Sequence, residues 1–152
     1  MKKLLFLVFP VLFFGCSTVQ EVQQAVNCKY TLAGVEVQDA SFTNVTLNVA
    51  MSVANQSKTT AASMNRFEGK FYINDNEVSN IGFDSYRVEP SSVGMVKTKL
   101  VLPFDAIGKN IAGLVIANSI SLHYKLVGKI YFDTPLGQIP IPITVEPPAK
   151  KD

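Results

Sequence analysis

The length, composition and charge of the chain exclude several classes of protein. Of its 152 residues, 47% are hydrophobic, which suffices for the core of one folded domain and argues against a disordered chain. Removal of an N-terminal leader that carries Lys2 and Lys3 would lower the basic residues from 14 to 12 and match the 12 acidic residues. A neutral domain with scattered charges has no basic face for nucleic acid or anionic lipid.

Residues 1–15 have the layout of a secretory signal peptide. Lys2 and Lys3 precede an apolar run from Leu4 to Phe14, and the run stops at Gly15-Cys16. The run is shorter than the ~20 residues that a membrane-spanning helix needs. An ordinary signal peptide that ends near a cysteine, or a buried apolar strand, are the alternatives for this segment.

Cys16 makes the signal peptide more specific. Phe13-Phe14-Gly15-Cys16 resembles a bacterial lipobox, in which a small residue precedes the cysteine that becomes the mature N-terminus. The resemblance implies cleavage between Gly15 and Cys16 and lipid attachment to Cys16, which makes a membrane the partner of the mature chain. We therefore expect a lipid-anchored protein of the bacterial cell envelope. Ser17 follows the cysteine, and by resemblance to sorting in enteric-type bacteria this favours the periplasmic face of the outer membrane over the inner membrane.

The second cysteine, Cys28, is expected to be a small, semi-buried apolar residue. A free reactive thiol and an intermolecular disulfide are the alternatives. Without lipid on Cys16, a Cys16–Cys28 disulfide would be a further alternative. Between these cysteines, Val19, Val22 and Val26 recur at helical spacing among glutamines, so residues 16–33 are predicted to form a post-anchor tether or a short helix.

Beyond residue 33, hydrophobic and polar side chains alternate, which is typical of strands with one buried face. The clearest alternation is at Val45, Leu47, Val49, Met51 and Val53. Similar patterns predict strands at 67–73, 96–102, 120–132 and 139–145, and Asn74-Asp75-Asn76 predicts a hairpin turn. Pro140 and Pro142 cannot donate hydrogen bonds, so the last strand is predicted to be an edge strand or strongly bulged.

One segment has helical rather than alternating spacing. After Pro103, apolar residues recur at steps of three and four from Phe104 to Val115, which predicts an amphipathic helix that ends near Asn118. Many antiparallel-type strands with a single short helix predict an all-β fold, a β-sandwich over residues 34–146 closed at one end by the helix. Residues 147–152 are predicted to be a flexible tail.

The sequence contains no cluster of catalytic or metal-binding residues. His123 is the only histidine, which excludes a metal site with two or more histidines in one chain, and its polar register predicts a solvated side chain. The acidic residues are dispersed, and no glycine-rich phosphate loop is present. We therefore expect no enzyme activity, no cofactor and no metal. A hydrolase of unrecognised type is the third hypothesis for the function, after the two given below.

The order of these segments resembles the group-2 late embryogenesis abundant family, also called the WHy (water stress and hypersensitive response) domain. The resemblance covers roughly residues 28–146 and is strongest at the Asn55 turn and at 128–137. Asn55-Gln56-Ser57 stands where the family usually has Asn-Pro-Asn. The resemblance implies a fibronectin III- or immunoglobulin-like sandwich without catalytic residues or cofactor. It also implies a role in desiccation, cold and other stresses through the protection of other proteins from aggregation.

Two functions from different classes follow from these patterns. The first is a membrane-tethered, non-catalytic stress-protection or binding module with client proteins as partners. The second is a structural or assembly lipoprotein that docks an envelope complex. For either function we expect contact surfaces at the loops around 55–65 and 79–92, which are polar and long for simple connections.

Overall fold

A computed structural model describes residues 16–117, 122–134 and 136–149 of the chain. The predicted signal segment 1–15 and its cleavage site before Cys16 lie outside these residues, apart from Cys16 itself. The elements in chain order are α1 (Cys16–Val26), β1 (Lys29–Ala40), β2 (Asn44–Ala54), β3 (Ala62–Met64), β4 (Arg66–Ile73), β5 (Asn76–Phe83), β6 (Tyr86–Val88), β7 (Val93–Pro103), α2 (Phe104–Ile107), α3 (Lys109–Ile116), β8 (Tyr124–Thr134) and β9 (Gly137–Val145).

Two antiparallel sheets form the body of the molecule. One has the strand order β1-β2-β7 and the other the order β5-β4-β8-β9, while β3 and β6 form a short two-stranded ribbon. All the strand pairs among the described residues are antiparallel. This arrangement confirms the predicted all-β sandwich.

The core lies between the two sheets, where period-two side chains of both sheets meet. Along β2 every second side chain is fully buried, as predicted, and these are Val45, Leu47, Val49, Met51 and Val53. They share one hydrophobic cluster with Phe67 and Phe71 of β4 and with Leu126 and Ile130 of β8. The alternation in the sequence therefore places the largest part of the core.

A pair of glycines brings β4 and β8 close together in the middle of the second sheet. Gly69 lies opposite Gly128, and a Cβ atom added to either would come within 2.7 Å of the Phe67 ring. The ring therefore covers the space that two side chains would otherwise occupy. A glycine inside a strand often marks such a close approach.

Two predicted features of the second sheet are confirmed. Asn74 and Asp75 connect β4 to β5 with φ angles of 49° and 63°, which is the backbone that a two-residue hairpin turn requires. Strand β9 is an edge strand of its sheet. Pro140 and Pro142 leave gaps in its backbone donors, which discourages pairing with another chain.

Strand β1 is missing from the sequence-based prediction. It begins at Lys29, so the predicted boundary between residues 33 and 34 falls inside this strand. Its pairing with β2 shifts register between Leu32 and Gly34 and again between Val37 and Asp39. Each bulge inverts the alternation of side chains, which explains why the period of two is not visible in the sequence.

The predicted helix after Pro103 is present but interrupted. Gly108, with φ of 76° and ψ of 146°, separates α2 from α3, which ends at Ile116. The single helix predicted after Pro103 is therefore two short helices, and α1, predicted as a tether or a short helix, brings the helices of the described residues to three. Asn118 and the predicted first residues of the following strand, 120 and 121, lie outside the described residues, and β8 begins at Tyr124.

Candidate functional site

The segment predicted as a tether or short helix is a helix packed against the sandwich. Ala25 is fully buried and Val22 packs against the core, whereas Val19 is 60% exposed. The Glu21 carboxylate joins the helix to the β3–β6 ribbon at two points. Its Oε1 lies 2.8 Å from Arg87 Nη1, and its Oε2 accepts a hydrogen bond of 3.0 Å from Ser63 Oγ. We call the region formed by α1, this ribbon and residues 55–61 and 89–92 the α1 end.

A buried asparagine organises the α1 end. Asn55 is only 2% exposed and directly follows β2. Its Nδ2 donates to the carbonyl oxygens of Thr60 at 2.9 Å and of Val88 and Glu89 at 3.2 Å. A single amide group therefore donates to backbone carbonyls of two segments that are more than 25 residues apart. Buried polar groups require such hydrogen-bond partners.

The Asn55 side-chain oxygen extends this set of hydrogen bonds, which we call the Asn55 node, to α1. It accepts hydrogen bonds from Gln24 Nε2 at 3.1 Å and from the Ser57 backbone N–H at 3.0 Å. The Asn55 backbone N–H donates to the Ser92 carbonyl at 2.9 Å. Asn55 thus joins α1, the loop that follows β2 and the segment that follows β6. An asparagine suits this position because its side-chain amide has two N–H donors and one oxygen acceptor.

Beneath α1 lie a thiol and two phenols. Cys28 is buried and free, and its Sγ donates to the Gln24 carbonyl at 3.4 Å. This agrees with the expected small apolar role of Cys28, and burial raises the pKa of its thiol. The Tyr30 hydroxyl donates to the Ala25 carbonyl at 2.6 Å, and burial raises the pKa of Tyr30 to about 12.

Tyr86 completes this buried cluster. Burial, and next the proximity of Tyr30, raise the pKa of its hydroxyl. No hydrogen-bond partner with good geometry reaches the Tyr86 hydroxyl within the part of the chain that the structure describes. A raised pKa at all three groups means that they stay neutral and give α1 an uncharged surface on which to pack.

The two predicted contact loops differ from the expectation. Within residues 55–65, Asn55 is buried and 62–64 form β3; within 79–92, residues 79–83 end β5 and 86–88 form β6. Strands β3 and β6 could not be predicted from the sequence, because each is three residues long and a segment of that length is too short to show an alternating pattern. Asn55 stabilises this region, but the sequence indicates it only as a turn residue that is retained from the family pattern.

His123 lies at the opposite end of the second sheet and is exposed, as predicted. Its backbone N–H donates to Asn74 Oδ1 at 2.9 Å, so it supports the β4–β5 turn. Nearby, Lys125 Nζ lies 2.6 Å from Asp75 Oδ1, and this hydrogen bond lowers the pKa of Asp75. These are exposed contacts that fix a turn.

Potential metal-binding groups and surface depressions are the remaining features of the described residues. They contain no group of three or more His, Cys, Asp or Glu side chains that could hold a metal ion. A shallow depression on the second sheet is lined by residues 68–70 and 80–82, among them two glycines. Within the described ranges, no helix has the length and apolar character to cross a bilayer.

Comparison with known proteins identifies the family. A family model described as late embryogenesis abundant protein matches residues 50–146, which is more than half of the chain. This match contains most of the sandwich, including the Asn55 node. A search of curated proteins finds no match.

The fold is similar to that of solved structures at low sequence identity. A solution structure from Arabidopsis thaliana matches with a TM-score of 0.52 and 18% identity, over 81% of this chain and 83% of that chain. A putative late embryogenesis abundant protein has a TM-score of 0.49, 13% identity and coverage of 84% and 79%. A crystal structure from Archaeoglobus fulgidus has a TM-score of 0.44, 12% identity and coverage of 77% and 89%. Through the match over residues 50–146, the chain belongs to the late embryogenesis abundant protein family, a generally non-enzymatic and stress-related family.

Proposed function

We propose that this chain is a WHy-type late embryogenesis abundant lipoprotein of the bacterial cell envelope. In this proposal lipid on Cys16 attaches the folded domain to a membrane, with the periplasmic face of the outer membrane favoured by Ser17. The lipobox-like residues 13–16 and the short apolar run before them support the anchor. The anchored domain binds partly unfolded client proteins during drying, freezing or osmotic stress and keeps them soluble.

The observation that carries the protective role is a strip of exposed side chains on β7. Val93, Met95 and Val101 are 68%, 58% and 54% exposed, and Lys97 and Lys99 lie between Met95 and Val101 on the same outward register. We call these five residues the β7 strip. It combines apolar contact area with charge that keeps the surface soluble, and β7 is an edge strand of its sheet. A client with exposed apolar segments can bind such a surface weakly and reversibly.

The anchor is tested by mass spectrometry of the mature protein. We expect a chain that starts at Cys16 and carries a diacylglycerol and an acyl group there. Cys16→Ala should release the protein from membranes or block its processing, while Cys28→Ala, at a buried thiol, should leave both unchanged. A mature protein with an unmodified Cys16 would refute the anchor.

The protective role is tested with a client enzyme that is dried or frozen with a modest excess of the leaderless domain. We expect the client to stay soluble and active, and replacement of Val93, Met95 and Val101 by serine to remove most of the protection. Phe42→Ser is the matched control, because Phe42 is a fully exposed apolar residue in the β1–β2 loop. Circular dichroism confirms that each variant is folded.

Two further results separate the hypotheses. Replacement of Cys28 and His123 by alanine should leave protection intact, because neither residue has a role in it. Loss of protection in that folded double variant would show that reactive chemistry takes part. A domain that gives no protection even without mutation would favour the alternative function, a structural or assembly lipoprotein that docks an envelope complex.

A further inference from the structure

We infer that the α1 end of the domain lies against a lipid bilayer and that Leu136, in the turn between β8 and β9, contacts it. The inference rests on the proposed lipid attachment at Cys16. It adds the orientation of the domain and the surface that meets the membrane. The partner is a phospholipid surface, because the lipid-bearing end of the chain is itself part of this end of the fold.

No flexible linker separates the proposed anchor at Cys16 from the folded domain. Helix α1 begins at Cys16, and Glu21, five residues later, is already fixed to Arg87 and Ser63. At about 1.5 Å per residue, the helix separates these two positions by only about 8 Å. A flexible tether over residues 16–33 would instead give a root-mean-square reach of about 23 Å. The docked helix therefore holds the α1 end close to the point of attachment.

The β8–β9 turn lies at the same end of the sandwich. Asn65, which follows β3, donates its backbone N–H to the Tyr131 carbonyl at 2.9 Å, and its Oδ1 accepts from the Asp133 N–H at 2.8 Å. Ser63 of β3 is the residue that contacts Glu21 of α1. These contacts connect the last residues of β8 to the helix that carries the anchor.

Leu136 is the exposed apolar residue that this turn presents. It is 99% exposed, and Ile139 at the start of β9 is 44% exposed although it lies on the inward register of its strand. The β8–β9 hairpin therefore extends beyond the sandwich core at the α1 end. A protruding leucine beside a lipid anchor can enter the headgroup and acyl boundary of a bilayer.

Phe42 provides an internal contrast at the other end of the molecule. It is also fully exposed, but it follows β1, which begins three residues after α1 and runs for 12 residues. Such a strand spans about 36 Å. A membrane that holds Cys16 is therefore near Leu136 and far from Phe42, so exposure alone does not decide which of the two residues meets lipid.

Fluorescence quenching in vesicles tests this orientation. The processed full-length chain with Cys28→Ala and either Leu136→Cys or Phe42→Cys is labelled with an environment-sensitive dye and reconstituted into vesicles of phosphatidylethanolamine and phosphatidylglycerol. We expect quenchers on the lipid acyl chains to quench the dye at position 136 and to leave the dye at position 42 unaffected. Equal quenching at both positions, or none at position 136, would overturn the orientation.

Mass spectrometry of the same samples separates this inference from the proposed function. If Cys16 carries lipid and the dye at position 136 is not quenched, the orientation is wrong and the anchor stands. An unmodified Cys16 overturns both. As a second variant, a flexible Gly/Ser segment of about 12 residues is inserted after Ser17. It should reduce quenching at position 136 at least about threefold, because it lets the domain move away from the bilayer surface. Unchanged quenching would show that the docked helix does not set the orientation.

Discussion

The middle of the sandwich and its α1 end are stabilised by different kinds of contact. In the middle, fully buried apolar side chains of β2, β4 and β8 pack across the two sheets. At the α1 end, side chains from positions far apart in sequence form hydrogen bonds and an ion pair, with Asn55 and Glu21 as the connecting residues. Burial of apolar area is non-directional, whereas each polar contact needs a specific partner at a specific angle.

This difference has a consequence for function. The middle provides the stability of the fold, because apolar burial is the dominant favourable contribution to folding. The α1 end fixes one helix, and the position of that helix determines how the domain is held relative to Cys16. Changes in the middle should therefore lower global stability, while changes at the α1 end should also loosen α1.

The first test of the comparison is Leu47→Ala in the middle of β2. The Leu47 side chain is fully buried, and its truncation should lower the free energy of unfolding by about 2–5 kcal/mol through lost burial and a cavity. Asn48→Ala on the outer register should stay within about 0.5 kcal/mol. Urea denaturation measures both. Equal losses at the two positions would mean that the inward and outward registers are not distinct.

A second test concerns the close approach of β4 and β8. In Gly128→Ala the new Cβ would lie 2.4 Å from the Glu68 carbonyl oxygen and 2.6 Å from Gly69 Cα, both backbone atoms. The strands would have to separate, which should cost about 3 kcal/mol. Gly34→Ala is the matched control, because no atom lies within 4 Å of its added Cβ. If both variants unfold at the same urea concentration, the glycine pair is not a constraint on the sheet.

The same contrast explains what the sequence could predict. The inward register of β2 and the Asn74-Asp75 turn follow from local patterns, namely alternation and the backbone preferences of a hairpin. The roles of Asn55 and Glu21 do not, because most of their partners lie more than 30 residues away and polar residues in short segments have no period. Strand β1 could not be predicted for a different reason: two bulges interrupt the alternation of inward and outward side chains along it.

The third test breaks the node at the α1 end. Asn55→Ala leaves the carbonyls of Thr60, Val88 and Glu89 without their shared donor, and we expect a loss of about 2–3 kcal/mol. Gln56→Ala, at the exposed neighbouring position, should change stability by less than about 0.5 kcal/mol. Hydrogen exchange should also speed up in α1, which loses the contact from Gln24. A stability loss without faster exchange in α1 would show that Asn55 does not hold the helix.

The last test uses pH, together with a variant of Tyr30, to weaken the α1 end. Burial raises the pKa of Tyr30 from 10.0 to about 12, so the folded protein favours the neutral phenol more than the unfolded chain does. The stabilisation from this group is complete below pH 10 and is lost as the pH rises through 12, a total of about 2–3 kcal/mol. Tyr30→Phe should be less stable at neutral pH, because it lacks the hydrogen bond to Ala25, but its stability should fall less steeply above pH 10. The slope that remains would come from the other groups with raised pKa values, among them Cys28, Tyr86 and Tyr124, whose pKa values burial raises. Denaturant melts between pH 7 and 12 that show the same slope with and without the Tyr30 hydroxyl would contradict this account of the α1 end.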